Sequence, residues 1–175
     1  LRLCCLEAGL VGFAQETVLK QGQVLLSDRA GQFVVFDHAD CWIHMERPLR
    51  KLETRTAEEE DEVRCVRELI WTLYDQLKEA SISQEGAEEV YALYNRLIAI
   101  RTTTPGVQAV VNNFKEHREG LLKALDHPGL PLHNNDSERD IRGMVKIRNV
   151  SGSTKSAQGQ VFRDGLMTLK QTCFR

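Results

Sequence analysis

The sequence predicts an α/β protein that is helix-rich overall, with short strand-like segments on either side of a long helical middle. Three observations carry this. Val24-Leu25-Leu26 is a short apolar run that ends in polar residues, the pattern of a buried strand. Beyond Pro48 the apolar residues change to alternating three- and four-residue spacing, from Val63 through Leu125. Pro128, Gly129 and Pro131 then interrupt the chain, and Ile141, Met144 and Val145 resume a helical face.

Taken in order, residues 1 to about 14 read as a helix, with Leu3, Leu6, Leu10 and Phe13 on one face. Gly22 marks a turn before the strand at Val24-Leu25-Leu26, and Asp28 follows at the strand's C-terminal end. Ala39 to His44 read as a second strand, with Trp42 packing inward and His44 near the sheet edge. Asp37, His38 and Asp40 read as a polar loop that needs no function. From Pro48 the chain turns helical, with Leu49 and Leu52 on its apolar face. The acids Glu58 to Glu62 open a long helix, where negative charge suits the helix dipole, and form a solvated face. Val63, Val66, Ile70, Leu73 and Leu77 supply that helix's apolar face. A second helix carries Val90, Leu93, Leu97 and Ile100, and Thr102 to Gly106 end it. A third carries Val107, Val110, Val111, Phe114, Leu121, Leu122 and Leu125. Three amphipathic helices with short breaks make a bundle.

The whole chain narrows the classes. Its 175 residues suit one domain with an insertion, and 42% hydrophobic with 27% charged residues is a globular composition. A formal net charge of -2 excludes a uniformly basic nucleic-acid binder but leaves room for a local basic face. No apolar run is long enough to cross a bilayer, so no membrane partner is expected. Five cysteines without a secretion signal point to reduced thiols and a cytoplasmic location. The start at Leu1, without an initiator Met, suggests a fragment or a processed chain.

Two carboxylates stand where chemistry is expected. Asp28 lies just past a strand end, the edge at which open α/β sheets bind ligands, although a turn or N-cap aspartate fits equally. Glu138 falls in the first turn of a new helix beside Arg139 and Arg142. It fits a metal ligand near a phosphate, and it also fits the capping box Asn135-x-x-Glu138. After Glu138 the charge reverses, and Arg139, Arg142, Lys146, Arg148 and Lys155 form a candidate phosphate-facing surface. Ser151 to Ser156 is a hydroxyl-rich loop able to hydrogen-bond phosphates, without the glycine and lysine spacing of a nucleotide-triphosphatase loop. Cys41-x-x-His44 is half of a zinc-ligand pattern, with His38 and His133 as loosely placed partners.

Asn134-Asn135-x-x-Glu138-Arg139-x-x-Arg142 resembles the signature around the last catalytic acid of bacterial insertion-sequence transposases, closest to the family numbered sixty-six. Val24 to Phe33, followed by Cys41 to Arg47, resembles the segment around that family's second catalytic aspartate. Val150 to Ser156 and the segment after it resemble the family's C-terminal end. The resemblance implies a DDE enzyme with an RNase H-like fold that cleaves and transfers DNA strands using magnesium, with manganese as an alternative. It implies Asp28 and Glu138 as the second and third catalytic and metal-binding acids, and a structural role for Cys41 and His44. It divides the chain into residues 1–50 as part of the RNase H-like core, 51–126 as a helical insertion, and 127–175 as the return to the core with basic C-terminal helices. Its partners are DNA (transposon ends and target) and, in the full transposase, further copies of itself. No Asp precedes Asp28 and Glu7 sits on a helical pattern, so the first acid is expected upstream of residue 1 and the isolated chain is expected to be inactive. Two other classes stand beside this one: a DNA-binding or assembly module without catalysis, and a helical interaction protein.

Overall fold

The computed structural model describes residues 23–28, 37–151 and 156–173. The expected N-terminal helix, residues 29–33 of the Val24 to Phe33 segment and Lys155 lie outside the described residues. The chain divides into two compact units, residues 1–133 and 134–175, each described by itself.

In the first unit, β1 (Leu25–Ser27) and β2 (His38–Asp40) pair in parallel, with Leu25 opposite His38, Leu26 opposite Ala39 and Ser27 opposite Asp40. The Leu25 N–H donates to the Asp37 carbonyl at 2.8 Å, and the Cys41 N–H donates to the Ser27 carbonyl at 3.1 Å, so the ladder runs one residue past each end. The two strands agree with the sequence reading of a small sheet, but the second is shorter than expected. It stops at Asp40, and α1 (Trp42–Arg50) begins at once. His38 and Asp40 are strand residues rather than loop residues, and Trp42, Ile43 and His44 are helical. Period decides this: Trp42, Met45 and Leu49, all buried, are spaced for one helical face and not for alternate sides of a strand. Helix therefore starts before Pro48, which lies inside α1 two residues from its end.

The long helix α2 (Ala57–Ser83) starts as its acids predict. Thr56 caps it, its side chain accepting the Glu59 N–H at 3.2 Å, while Glu59 reaches back to the Arg55 N–H at 2.6 Å. These contacts satisfy donors that a helix start leaves open. The helix ends at Gln84, whose φ of 61° is left-handed. Then α3 (Ala87–Ile98) and α4 (Pro105–Glu116) follow, with Pro105 in the first turn, where its missing N–H costs nothing. The third helix was expected to run on through Leu125. Instead it breaks at His117, and α5 (Arg118–Leu122) and a 3-10 turn (Lys123–Leu125) complete it.

One hydrophobic core joins these helices. Ile70, Leu73 and Leu77 of α2, Val90 and Leu97 of α3, and Val107, Val111 and Phe114 of α4 are all but inaccessible. Trp42, Met45 and Leu49 of α1 and Leu132 beyond α5 belong to the same cluster. At its centre, the Trp42 ring meets Tyr74 and Phe114 edge to face, with centroids 6.1 and 5.6 Å apart. Its Nε1–H donates to the Leu121 carbonyl at 3.0 Å. Tyr94, fully buried, donates its hydroxyl to the Phe114 carbonyl, and burial pushes its phenol above the ordinary range.

Glu62, the last of the acid run, is not part of a solvated face. Its carboxylate accepts the Thr102 and Thr103 hydroxyls at 2.6 and 3.0 Å, and the Thr103 and Thr104 N–H groups, both at 3.1 Å. The Thr102 bond, with those from Thr104 and Thr103, pulls the Glu62 pKa down to about 2. The carboxylate thus fastens α2 to the turn ahead of α4.

The second unit consists of α6 (Asn135–Ser151) and α7 (Ala157–Cys173). Ser156 caps α7, its hydroxyl accepting the Gly159 N–H at 3.1 Å. Among the described residues no helix is long and apolar enough to cross a membrane.

Candidate functional site

Asp28 is the first residue after β1, at the C-terminal edge of the parallel pair, and its side chain is exposed. In open parallel sheets that edge is where ligands bind. Glu138 lies in the first turn of α6 and is half-buried. Its N–H donates to the Asn134 carbonyl at 3.0 Å. The helix therefore begins at Asn135 with Asn134 ahead of it, which places Glu138 one position beyond the third helical residue that a capping box uses. Asp28 belongs to the first unit and Glu138 to the second.

The basic candidates fall on α6. Arg139, Arg142 and Lys146 are exposed, and their spacing of three and four residues aligns them along one stripe. The Arg139 guanidinium lies 3.9 Å from the Asp136 carboxylate, and both are more than three-quarters exposed, so that pair is weak. The Arg148 side chain lies outside the described residues, as does Lys155.

Cys41 and His44 straddle the start of α1. Cys41 is buried with a free thiol and occupies the N-cap position, and the His44 N–H donates to its carbonyl at 3.1 Å. The motif thus marks the point where strand gives way to helix. Among the described residues no group of three or more His, Cys, Asp or Glu side chains is arranged to hold a metal ion. Taken singly, the exposed Asp28 carboxylate and the half-buried Glu138 carboxylate offer the hard oxygen donors that magnesium prefers.

Next to Asp28 the structure assembles a polar cluster that the sequence does not announce. Ser27 Oγ and His38 Nε2 share a hydrogen bond of 2.7 Å. On the far side of the ring, His38 Nδ1 lies 3.7 Å from Asp40 Oδ1. His117 Nδ1 lies 3.8 Å from the other oxygen, Asp40 Oδ2. Asp40 is 4% exposed. A Cβ added at Gly120 would stand 2.2 Å from its Oδ2, so only a glycine lets α5 approach this closely. Just ahead of β2, Asp37 pairs with Lys123 of the 3-10 turn. A second buried carboxylate, Glu46 of α1, accepts Arg67 Nε of α2 at 2.5 Å. Apart from His38 and Asp40, which share β2, these partnerships join residues from different elements and so have no local sequence signal.

Comparisons with known proteins place the chain in a family. The family model described as "Transposase IS66 family" matches residues 30–161, a span that includes Cys41, His44 and Glu138 and begins two residues after Asp28. The "Uncharacterized protein y4jO" of Sinorhizobium fredii (strain NBRC 101917 / NGR234) is 36% identical over 171 residues, covering 95% of this chain and 53% of its own length. The chain thus spans about half the length of that curated relative. No solved structure matches. With most of its residues inside one family model, the chain belongs to the Transposase IS66 family.

Proposed function

We propose that this chain supplies two of the three acids of a DDE-type catalytic centre for DNA transposition. Membership of a transposase family makes the function transposition-related. The observation that carries the finer reading is the placement of the two acids. Asp28 leaves the open end of a parallel strand pair, and Glu138 opens a helix whose next turns carry an exposed basic stripe. In this reading residues 1–50 and 127–175 contribute to an RNase H-like core, and residues 51–126 form a helical insertion.

Strand cleavage and transfer are in-line displacements at phosphorus, and magnesium ions held by carboxylates neutralise the attacking and leaving oxygens. Asp28 and Glu138 would hold that metal, with manganese as a substitute. Arg139, Arg142 and Lys146 would contact the DNA backbone and position it, a task that phosphate contacts perform without reading sequence. DNA, as transposon end and target, is the partner, and the working enzyme is an assembly of several copies.

The test is magnesium-dependent cleavage and strand transfer by the longest natural reading frame that contains this chain, as wild type, Asp28→Asn and Glu138→Gln. Both variants should lose the reaction while keeping their thermal midpoints. An active Glu138→Gln enzyme refutes the catalytic assignment. DNA binding that persists without any metal-dependent cleavage in the wild type would instead identify a binding or assembly module.

A further inference from the structure

The cluster beside Asp28 is built from costly parts. Asp40 is a buried carboxylate at 4% exposure, and burying a charge is unfavourable unless neighbouring groups compensate it. Its neighbours are the two imidazoles, His38 from its own strand and His117 from the residue ahead of α5. Gly120 of α5 lies directly against it. Because Asp37 is paired with Lys123 as well, β2 is tied to the segment 117–123 at both of its ends. His38 then carries the connection across the sheet, since its second ring nitrogen holds Ser27, the last residue of β1. Asp28 is the next residue along the chain.

Ser27, His38 and Asp40 are the residue types of a nucleophilic relay, but the geometry does not fit one. Ser27 is only 5% exposed, and 3.7 Å between His38 and Asp40 exceeds a hydrogen bond. The arrangement suits fixing a backbone rather than activating a hydroxyl. The Asp37–Lys123 ion pair and the close fit of Asp40 against Gly120 hold β2, and one short hydrogen bond passes that restraint to the strand end that presents Asp28.

We propose that His38 and Asp40, braced by His117, are positioning residues that fix the end of β1 and thereby aim the Asp28 carboxylate. This rests on the reading of Asp28 as a metal-binding acid. Residues that orient a metal ligand from behind typically change metal affinity by about 10- to 100-fold when removed. The proposal therefore separates side chains that only fill space from those that preserve the contact to Ser27.

The experiment measures Mn2+ binding to the full chain by water-proton relaxation, with amide hydrogen exchange over Leu25–Asp28 recorded on the same samples. His38→Phe and Asp40→Leu should weaken Mn2+ binding by about tenfold or more and speed exchange at the strand end. His38→Gln, whose amide can still reach Ser27, should stay near wild type in both. Ser27→Ala removes the contact with the least disturbance, and it replaces any bulkier variant that fails to unfold cooperatively. Wild-type Mn2+ affinity and exchange in His38→Phe would overturn the proposal. So would a His38→Gln variant as impaired as His38→Phe. If Asp28→Asn leaves Mn2+ binding unchanged, the metal-ligand reading of Asp28 fails by itself. The exchange measurement then decides the positioning role: faster exchange in Ser27→Ala supports it, and unchanged exchange refutes it.

Discussion

Replacing Trp42 with Phe tests whether the buried indole joins the strand end to the helical bundle. Trp42 is 1% exposed, and Phe keeps a ring able to meet Tyr74 and Phe114 edge to face. Two things are lost. The Leu121 carbonyl loses the Nε1–H donor now 3.0 Å away, and leaving a buried polar group unmatched costs about 1–3 kcal/mol. The indole also contributes two more buried carbons than phenyl, worth roughly 1.5 kcal/mol at about 0.8 kcal/mol each. Together the loss is about 2.5–4.5 kcal/mol, and at about 3 °C per kcal/mol for a unit of this size the thermal midpoint should fall by roughly 10 °C. The assays are thermal and urea unfolding followed by circular dichroism, with an unchanged urea slope required so that the difference reports stability alone. Trp71→Phe is the control, because Trp71 is only half-buried. It should cost less than about 1 kcal/mol, as substitutions away from buried features generally do. A loss below about 1 kcal/mol for Trp42→Phe, or equal losses for the two tryptophans, would refute this account of the core.

Three further outcomes are expected. The pKa of Glu62 lies at about 2 in the folded chain against an ordinary 4.5, so the unfolded chain binds more protons between those values. The stability it contributes is complete above about pH 4.5 and is lost as the pH falls toward 2; Glu62→Gln should flatten that part of a pH–stability profile. Tyr94, raised above 10.0 by burial, stays protonated in the folded chain when the unfolded chain ionises, so stability should decline as pH rises past 10. Tyr94→Phe should remove that decline while lowering stability at neutral pH by about 1–3 kcal/mol, since the Phe114 carbonyl loses its donor. Gly120→Ala drives a methyl group to 2.2 Å from Asp40 Oδ2, and calorimetry should register a loss of about 1–3 kcal/mol, the usual cost of overpacking.

The sequence by itself determined the helical bundle and its faces. Val66, Ile70, Leu73 and Leu77 are buried because three- and four-residue spacing puts them on one side of a helix, whatever that side packs against. The acids from Glu58 placed one helix start and Thr102 to Gly106 placed the break between two helices, because helix-dipole and proline geometry act over a few residues. Asp28 at a strand end and Glu138 at a helix start were legible for the same reason: each follows from a local pattern joined to a family resemblance.

Long-range partnerships decided the rest. The spacing of Trp42, Met45 and Leu49 allows a helix after Asp40, and distant groups anchor its start: the Trp42 ring fits between Tyr74 and Phe114, and its backbone N–H donates to the Leu132 carbonyl. The break at His117 sits where the Trp42 indole takes the Leu121 carbonyl and Gly120 settles on Asp40. Glu62 reads as one acid among five until the turn at Thr102 to Thr104 folds onto it. The His38–Asp40–His117 cluster had no periodicity to reveal it, since its members come from β2 and from the residue that precedes α5. Period and capping are properties of neighbours in the chain. A buried charge is tolerated only where distant groups converge on it, and that convergence exists only once the tertiary structure has formed.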